Sequence, residues 1–331
     1  MTNYTCELLE NELTFFHNQI QSCCSSQVGP IYFPNYKGEE IDWNKIVNTK
    51  KSILKDLKNG IIPKNCVGCF NLKENNEYKR THKHFTRLII SHWLHCNCGC
   101  IYCARTCFSE KEKADVPIKS KYYDFLPILK SLYEKKLLLK NSKLFVDFQG
   151  GDISVLAEFN EIIDLLIKNK VGSIRITTNN TIYQEKIAYL LKQGKCELMT
   201  SLDAGTSETY KKIKRIDKFS ETISNLRRYV KQAPNAFVFV KYIIVKGIND
   251  NEKEVNAFLD LMFDIGVKNV SFEIDYRDIM MFPQRRFDIP KHYYSLLGIF
   301  KKRCLENNVQ LTLFKHTENV LKQGYFGYNS N

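Results

Sequence analysis

The stretch that decides the fold is "TRLIISHWLHCNCGCIYC", Thr86 to Cys103, in which an apolar run leads directly into a loop with four cysteines. Short apolar runs that end in turn residues predict buried β-strands. Comparable runs recur toward the carboxyl terminus with helical segments between them, and this alternation predicts a parallel sheet. The further predicted strands are "KLFVDFQGGD" (143–152), "SIRITTNN" (173–180), "CELMTSLDAG" (196–205), "FVFVKYIIVKGIND" (237–250), "NVSFEID" (269–275) and "VQLTLF" (309–314).

Both faces of these strands are rich in Ile, Val and Phe, which is typical of strands covered by helices outside and by packed side chains inside. The pattern predicts an α/β fold with a parallel barrel or partial barrel over residues 85–315. Residues 1–84 do not follow this rhythm and are expected to form a small cysteine-containing module, and residues 316–331 a tail. Because such folds place their chemistry at the carboxyl ends of the strands, the polar strand ends should share one catalytic rim.

Composition excludes several classes of protein. The 331 residues are 44% hydrophobic, enough for a large core, and no apolar run approaches the roughly 20 residues that span a bilayer. The net charge of +13 comes from lysines dispersed along helix faces, so a nucleic-acid partner is not favoured. Without a signal peptide we expect a cytoplasmic protein with no membrane partner, where clustered cysteines indicate metal rather than disulfides.

Three cysteines of the loop, Cys96, Cys100 and Cys103, have C-x3-C-x2-C spacing, with Tyr102 before the last. Three thiolates so close together can hold a [4Fe–4S] cluster whose fourth iron has no protein ligand and can bind a substrate. The alternative is structural zinc, in which Cys98 or Cys107 joins these cysteines and a nearby histidine. Without zinc, Cys98 and Cys107 have no assigned role.

From Phe85 to Phe314 the sequence resembles the radical S-adenosylmethionine (SAM) enzymes, which have a partial (β/α)6-type barrel. The resemblance implies that Cys96, Cys100 and Cys103 hold a [4Fe–4S] cluster and that the open iron chelates SAM. "QGGD" resembles the family's Gly-Gly-Glu motif, with Asp152 in place of Glu. It implies that Gly150, Gly151 and Asp152 approach the methionyl amino group.

Two further strand ends resemble motifs of this family that line the SAM cavity. "TTNN" places Thr178 and Asn179 there, and "TSLDAG" places Ser201 and Asp203 near the SAM ribose. Taken alone, each motif has a simpler interpretation, since a Gly-Gly pair is often a tight turn and Asp203 could cap a helix. Three other cysteines are isolated in the sequence and are expected to be small buried residues: Cys6, Cys196 and Cys304.

The amino-terminal segment has its own cysteine pattern. "CC" at Cys23 and Cys24, followed by a helical run and "NGIIPKNCVGC" with Cys66 and Cys69, resembles the later half of SPASM modules. These are the auxiliary-cluster domains of many radical SAM enzymes. The resemblance implies one auxiliary iron–sulfur cluster held by these four cysteines. The alternatives are zinc or no metal. One of Cys23 and Cys24 could bind no metal, because adjacent side chains on an extended chain point in different directions.

The resemblance implies reductive cleavage of SAM to a 5′-deoxyadenosyl radical that abstracts hydrogen from a peptide, protein or carbohydrate-type substrate. The electron would come from a reductant such as flavodoxin or ferredoxin. No residue is assigned as a catalytic acid or base. A loop over 276–290 offers arginines for an anionic substrate group. The alternative function is a non-catalytic iron–sulfur or zinc protein that relays electrons or binds a partner.

Overall fold

The computed structural model describes residues 3–16, 20–21, 41–67, 69, 71–74, 84–103, 123–138, 143–275 and 289–323. The chain divides into two compact units. The first contains Met1–His95 and Ile118–Ile176, and the second contains Cys96–Pro117 and Thr177–Asn331. The compact units therefore divide the chain differently from the predicted boundaries at residues 84 and 315.

The first unit is built around parallel strands. Its elements are β1 (Tyr4–Thr5), α1 (Glu7–Asn11), β2 (Glu12–Phe16), β3 (Ile20–Gln21), α2 (Trp43–Lys58), β4 (Lys73–Glu74), β5 (Arg87–Ser91), α3 (Phe125–Glu134), β6 (Phe145–Phe148), α4 (Phe159–Lys168) and β7 (Ser173–Thr177), whose last residue opens the second unit. The strand order is β3-β2-β5-β6-β7, and only β3 runs antiparallel to its neighbour. Leu88, Ile89 and Ile90 of β5 are at most 2% exposed, so both faces of this strand are buried as predicted.

The amino-terminal segment contributes to this layer. β2 pairs in parallel with β5, with Glu12 opposite Arg87 and Phe16 opposite Ser91. β2 was not among the predicted strands, although Glu12, Leu13, Thr14 and Phe15 alternate polar and apolar as strand residues do. In the structure all four side chains are buried, the polar ones included. Part of the predicted amino-terminal module is therefore a strand of the parallel layer, while β1 and β4 form a separate two-stranded antiparallel sheet.

The second unit contains four more parallel strands, in the order β8-β9-β10-β11. Its elements, in chain order, are α5 (Glu185–Lys192), β8 (Cys196–Ser201), α6 (Ser207–Lys214), α7 (Phe219–Gln232), β9 (Phe237–Ile244), α8 (Glu252–Ile265), β10 (Asn269–Ile274), α9 (Lys291–Glu306), β11 (Gln310–Thr312) and α10 (Lys315–Gln323). Every strand predicted from the sequence is present, and the predicted α/β class with parallel strands is confirmed.

Apolar residues at helical spacing predict the core faces of the helices, and the structure agrees for α8 but not for α7. In α8 this spacing selects Val255, Phe258, Leu259 and Met262 and predicts an end at Gly266. All four side chains are fully buried, and the helix ends at Gly266 in the left-handed region at φ 87°.

In α7 helical spacing predicts a core face of Phe219, Ile223, Leu226 and Val230, and the observed buried face is rotated from it. The structure buries Leu226 but also Tyr229 and the polar Asn225. Asn225 donates to the carbonyl of Asn180 at 2.9 Å, and the Tyr229 hydroxyl accepts from the Gln184 amide at 2.8 Å. These hydrogen bonds satisfy the buried polar groups, so the burial of Asn225 and Tyr229 is not destabilising. For this reason residue polarity alone does not predict the buried face of α7.

None of the described helices is long and apolar enough to cross a membrane. The predicted arginine loop over 276–290 falls largely on residues outside the described part of the chain, as does Cys107.

Candidate functional site

The cysteine loop begins the second unit and follows the carboxyl end of α6. The amide of Gly99 donates to the carbonyl of Lys214 at 3.0 Å, and the amide of Ile101 donates to the carbonyl of Ile213 at 3.0 Å. The last carbonyls of a helix have no partner within the helix, so the loop satisfies two of them. The backbone of the loop is thereby fixed to a rigid element.

The thiols of the loop lie close to one another. None of the described cysteines forms a disulfide. The Cys98 amide donates to the Cys96 sulfur at 3.4 Å. A hydrogen bond from the Cys98 thiol lowers the pKa of Cys100 to about 6 against the opposing effect of burial, and the same bond is the main reason that the pKa of Cys98 is raised. Cys98, which has no role assigned from the sequence, therefore interacts directly with two of the predicted cluster ligands, Cys96 and Cys100.

The donor set of the loop fits an iron–sulfur cluster. The loop offers half-buried thiols a few residues apart, and the lowered pKa of Cys100 favours its thiolate, the soft ligand that iron–sulfur clusters use. Among the described residues, no three His, Cys, Asp or Glu side chains already lie in a metal-binding arrangement. Ligation requires deprotonated thiols, so the hydrogen bonds among them must be exchanged for metal bonds.

The predicted third-strand residues lie beside the loop. Asn179 donates to the Cys96 sulfur at 3.5 Å and to the side-chain oxygen of Asn97 at 2.6 Å. Asn97 in turn donates to the Thr181 hydroxyl at 2.7 Å. Thr178 is buried, and its hydroxyl accepts from the Asn180 amide at 3.2 Å. Asn179 thus contacts the cysteine loop directly, and a contact of Thr178 or Asn179 with SAM stays a prediction.

Asp203 lies in a buried polar cluster. Its Oδ2 accepts from the Tyr102 hydroxyl and from the Lys214 ammonium, and its Oδ1 accepts from the Ile243 amide at 2.8 Å. Lys214 also donates to the Tyr102 hydroxyl at 2.6 Å. Burial, and then the negative charge of Asp203, raise the pKa of Tyr102. For Lys214 burial has the largest single effect and lowers the pKa, but the charge and hydrogen bond of Asp203, together with Cys100 and Tyr210, outweigh it, so the pKa is raised. The carboxylate predicted to meet the SAM ribose thus has three protein partners.

Ser201, the other residue predicted to lie near the ribose, is the last residue of β8. It is half-buried, and the register of the parallel ladder pairs it with Lys241 of β9. The position at a strand end agrees with the predicted rim. Its contact with SAM stays a prediction.

The first unit holds Gly150, Gly151 and Asp152 against the chain that leads into the loop. The Gly151 amide donates to the Trp93 carbonyl at 2.6 Å, and the Asp152 amide donates to the His95 carbonyl at 2.9 Å. A Cβ on Gly151 would lie 2.2 Å from the His95 oxygen, and one on Gly150, at φ 101°, would lie 2.6 Å from the Trp93 oxygen. Close backbone approach therefore requires both glycines.

Asp152 is buried and organises the turn that follows the glycines. Its Oδ1 accepts from the Ser154 amide at 2.8 Å and from the Ser154 hydroxyl. The indole nitrogen of Trp93 donates to the Asp152 carbonyl at 3.0 Å, which ties Asp152 a second time to the segment that follows β5. The contacts with Ser154 therefore engage Oδ1 of the carboxylate. The contact of Asp152 with the SAM amino group stays a prediction.

Two of the four amino-terminal cysteines are described. Cys66 is buried at the end of a 3₁₀ turn (Lys64–Cys66), and the Cys69 amide donates to its carbonyl at 3.2 Å. Cys23 and Cys24 lie outside the described residues. Burial raises the pKa of the Cys6 thiol, a hydrogen bond from Leu9 opposes this, and the charge of Cys69 adds to it.

The position of Cys6 in the sequence suggested an isolated cysteine, but in the structure Cys6 interacts with Cys69. The antiparallel pairing of β1 with β4 sets Thr5 opposite Lys73, and this register brings Cys6 toward the turn that contains Cys69. Only the pairing of two-residue strands reveals this, so no sequence signal could have found it.

The chain is 26% identical over 185 residues to a protein named GTP 3′,8-cyclase from Petrotoga mobilis, which covers 54% of this chain and 52% of that protein. It is 25% identical over 167 residues to a protein of the same name from Clostridium botulinum, which covers 50% and 49%. The chain thus spans about half the length of these relatives.

Among solved structures, Streptococcus suis SuiB bound to its precursor peptide SuiA superposes with a TM-score of 0.51 at 10% identity, over 90% of this chain and 61% of that one. At this identity the likeness shows the fold alone, and it confirms the predicted fold class. Residues 90–262, just over half of the chain, match the Radical SAM superfamily. The chain therefore belongs to the radical SAM superfamily, and its cofactors are a [4Fe–4S] cluster and SAM.

Proposed function

We propose that Cys96, Cys100 and Cys103 hold the cluster and that the chain uses it to cleave SAM reductively and to abstract hydrogen from a peptide, protein or carbohydrate-type substrate. The observation that supports this most directly is the C-x3-C-x2-C loop fixed to the end of α6 by two backbone hydrogen bonds. When bound, the cluster and SAM supply one-electron cleavage of a carbon–sulfur bond, which gives methionine and the 5′-deoxyadenosyl radical.

The residues of the chain supply binding and orientation. Gly150 and Gly151 let the backbone approach closely, and Asp152 offers a carboxylate oxygen to the methionyl amino group. Thr178, Asn179, Ser201 and Asp203 complete the proposed SAM set. Such positioning in a water-poor site is the contribution that a protein makes to chemistry performed by its cofactors.

An auxiliary iron–sulfur cluster on the amino-terminal cysteines is part of the proposal. Its proposed ligands are Cys23, Cys24, Cys66 and Cys69. The backbone hydrogen bond between Cys66 and Cys69 and the nearness of Cys6 to Cys69 support a group of thiols in this segment. Zinc remains the alternative metal, since four thiolates suit either.

A second substrate class follows from the names of the relatives. Proteins named GTP 3′,8-cyclase are 25–26% identical to this chain over about half their length, which favours a purine nucleoside triphosphate as the alternative to a peptide. A flavodoxin or ferredoxin is the proposed electron donor.

The test is electron paramagnetic resonance of the anaerobically reconstituted, reduced protein with and without SAM. We expect a [4Fe–4S] signal that changes when SAM is added, and formation of 5′-deoxyadenosine. The combined replacement of Cys96, Cys100 and Cys103 by Ala, called here the triple-cysteine variant, should abolish both results. Cys196→Ala, which replaces a buried cysteine of β8, is the matched control and should retain them.

A SAM-dependent change that persists in the triple-cysteine variant would refute the ligand assignment. A cluster without 5′-deoxyadenosine formation would favour the alternative of an electron-relay protein. Substrate class is tested by adding GTP or a peptide library to the same assay, because the true substrate should increase 5′-deoxyadenosine formation and lose hydrogen in the process.

A further inference from the structure

A buried ion pair lies directly beneath the cysteine loop. The side chain of Lys214 is 2% exposed and that of Asp203 is fully buried, and the two charged groups contact each other. Tyr102, which belongs to the loop, bonds to both. The carbonyl of the same Lys214 accepts the amide of Gly99. One residue of α6 therefore contacts the loop through its main chain and through its charged side chain.

The neighbours of Asp203 fix the pair in place. Its Oδ1 accepts from the Ile243 amide, and its carbonyl oxygen accepts from the Asn249 side chain at 2.8 Å. Asn249 itself is fully buried. With the carboxylate held by the Ile243 amide and the main chain of Asp203 held by Asn249, the ammonium of Lys214 has a defined position.

Burying this ion pair is not needed merely to hold the loop in place. Desolvating two charges is expensive, and apolar side chains of similar size would often stabilise a fold as well or better. The two backbone hydrogen bonds already fix the loop. The charge itself, which lies 2.6 Å from the hydroxyl of Tyr102 between Cys100 and Cys103 in the sequence, is what apolar packing could not supply.

We propose that Lys214 is a positioning residue whose ammonium, held by Asp203, lies against the cysteine loop and sets the reduction potential of the cluster there. This inference rests on the proposed function, since it assumes a cluster on the loop. Reduction adds an electron to a cluster that already carries thiolate charge. A nearby cation stabilises the reduced form, a nearby anion destabilises it, and both effects are strong where water is excluded.

The experiment is a redox titration of the reconstituted full chain, followed by electron paramagnetic resonance in the absence of SAM. Lys214→Met leaves the Asp203 charge in place, so the midpoint potential should fall. Asp203→Asn leaves the Lys214 charge in place, so the potential should rise. The double variant should lie near the wild type. Lys212→Met is the matched control, because Lys212 is an exposed lysine of the same helix and should cause no shift.

Opposite shifts from the two single variants are a signature that mere loosening of the loop does not produce. Equal potentials, or shifts in the same direction, would overturn the inference. If Lys214→Met fails to fold, Lys214→Gln gives the same measurement, because it removes the charge and keeps a donor for Asp203. A wild-type chain that binds no cluster would refute the proposed function, which is a distinguishable outcome. Omitting SAM separates this role from any contact of Asp203 with the ribose.

Discussion

Replacing Gly151 by alanine would place a methyl group 2.2 Å from the carbonyl oxygen of His95 and 2.7 Å from the carbonyl carbon of Leu94. Both neighbours are backbone atoms, so no side chain can turn away to make room. The chain from Trp93 to His95 must move, and with it the two hydrogen bonds that Gly151 and Asp152 donate to it. Since Cys96 follows His95 directly, the displacement acts on the start of the cysteine loop.

The cost has two parts. Forcing a methyl group into a packed site costs about 1–3 kcal/mol. One weakened backbone hydrogen bond adds about 1 kcal/mol. We therefore expect Gly151→Ala to lower the free energy of unfolding by about 2–4 kcal/mol. At roughly 2–4 °C per kcal/mol, the melting temperature should fall by roughly 5–15 °C.

The assay is thermal and urea unfolding of the cluster-free protein followed by circular dichroism. Gly298→Ala is the control, because Gly298 lies exposed in α9 with no atom within 4 Å of an added Cβ. There alanine should stabilise the helix by about 0.5–1 kcal/mol. A Gly151→Ala protein as stable as the wild type would refute the argument that the glycine is required by backbone contact.

Three further predictions concern other parts of the chain. Asp152→Asn keeps an oxygen to cap Ser154, so it should retain the melting temperature while weakening SAM binding measured by calorimetry. Asp152→Ala should lower both the melting temperature and the SAM affinity. Unchanged SAM affinity in both variants would remove Asp152 from the SAM set. The triple-cysteine variant should retain about four irons per chain if an auxiliary cluster is present. Adding Cys69→Ser to this variant should remove the iron, whereas adding Cys196→Ser should not. Iron and zinc contents near zero in the triple-cysteine variant would reject this site. Burial raises the pKa of Cys304 to about 11, so its contribution to stability is complete below the unfolded value near 8.5 and declines as the pH rises to about 11. Cys304→Ala should therefore flatten the fall of the melting temperature between pH 9 and 11, and an unchanged slope would contradict this.

The sequence determined those features that depend on local composition and spacing. Apolar runs closed by turn residues placed β5 to β11, and helical periodicity identified the buried face of α8. The spacing of Cys96, Cys100 and Cys103 predicted a cluster site before any neighbour was known. In each case the signal lies within one short segment, because burial on a strand or helix face repeats with the period of that element.

Tertiary structure decided what depends on residues distant in the chain. The pairing of β2 with β5 sets Glu12 opposite Arg87, and no local pattern states which distant strand a segment will join. The burial of Asp203 depends on Lys214, eleven residues away, and on Tyr102, one hundred and one residues away. A buried polar side chain is stable only where such partners meet it, and the amino-acid sequence does not state which distant groups the fold will bring within hydrogen-bonding distance.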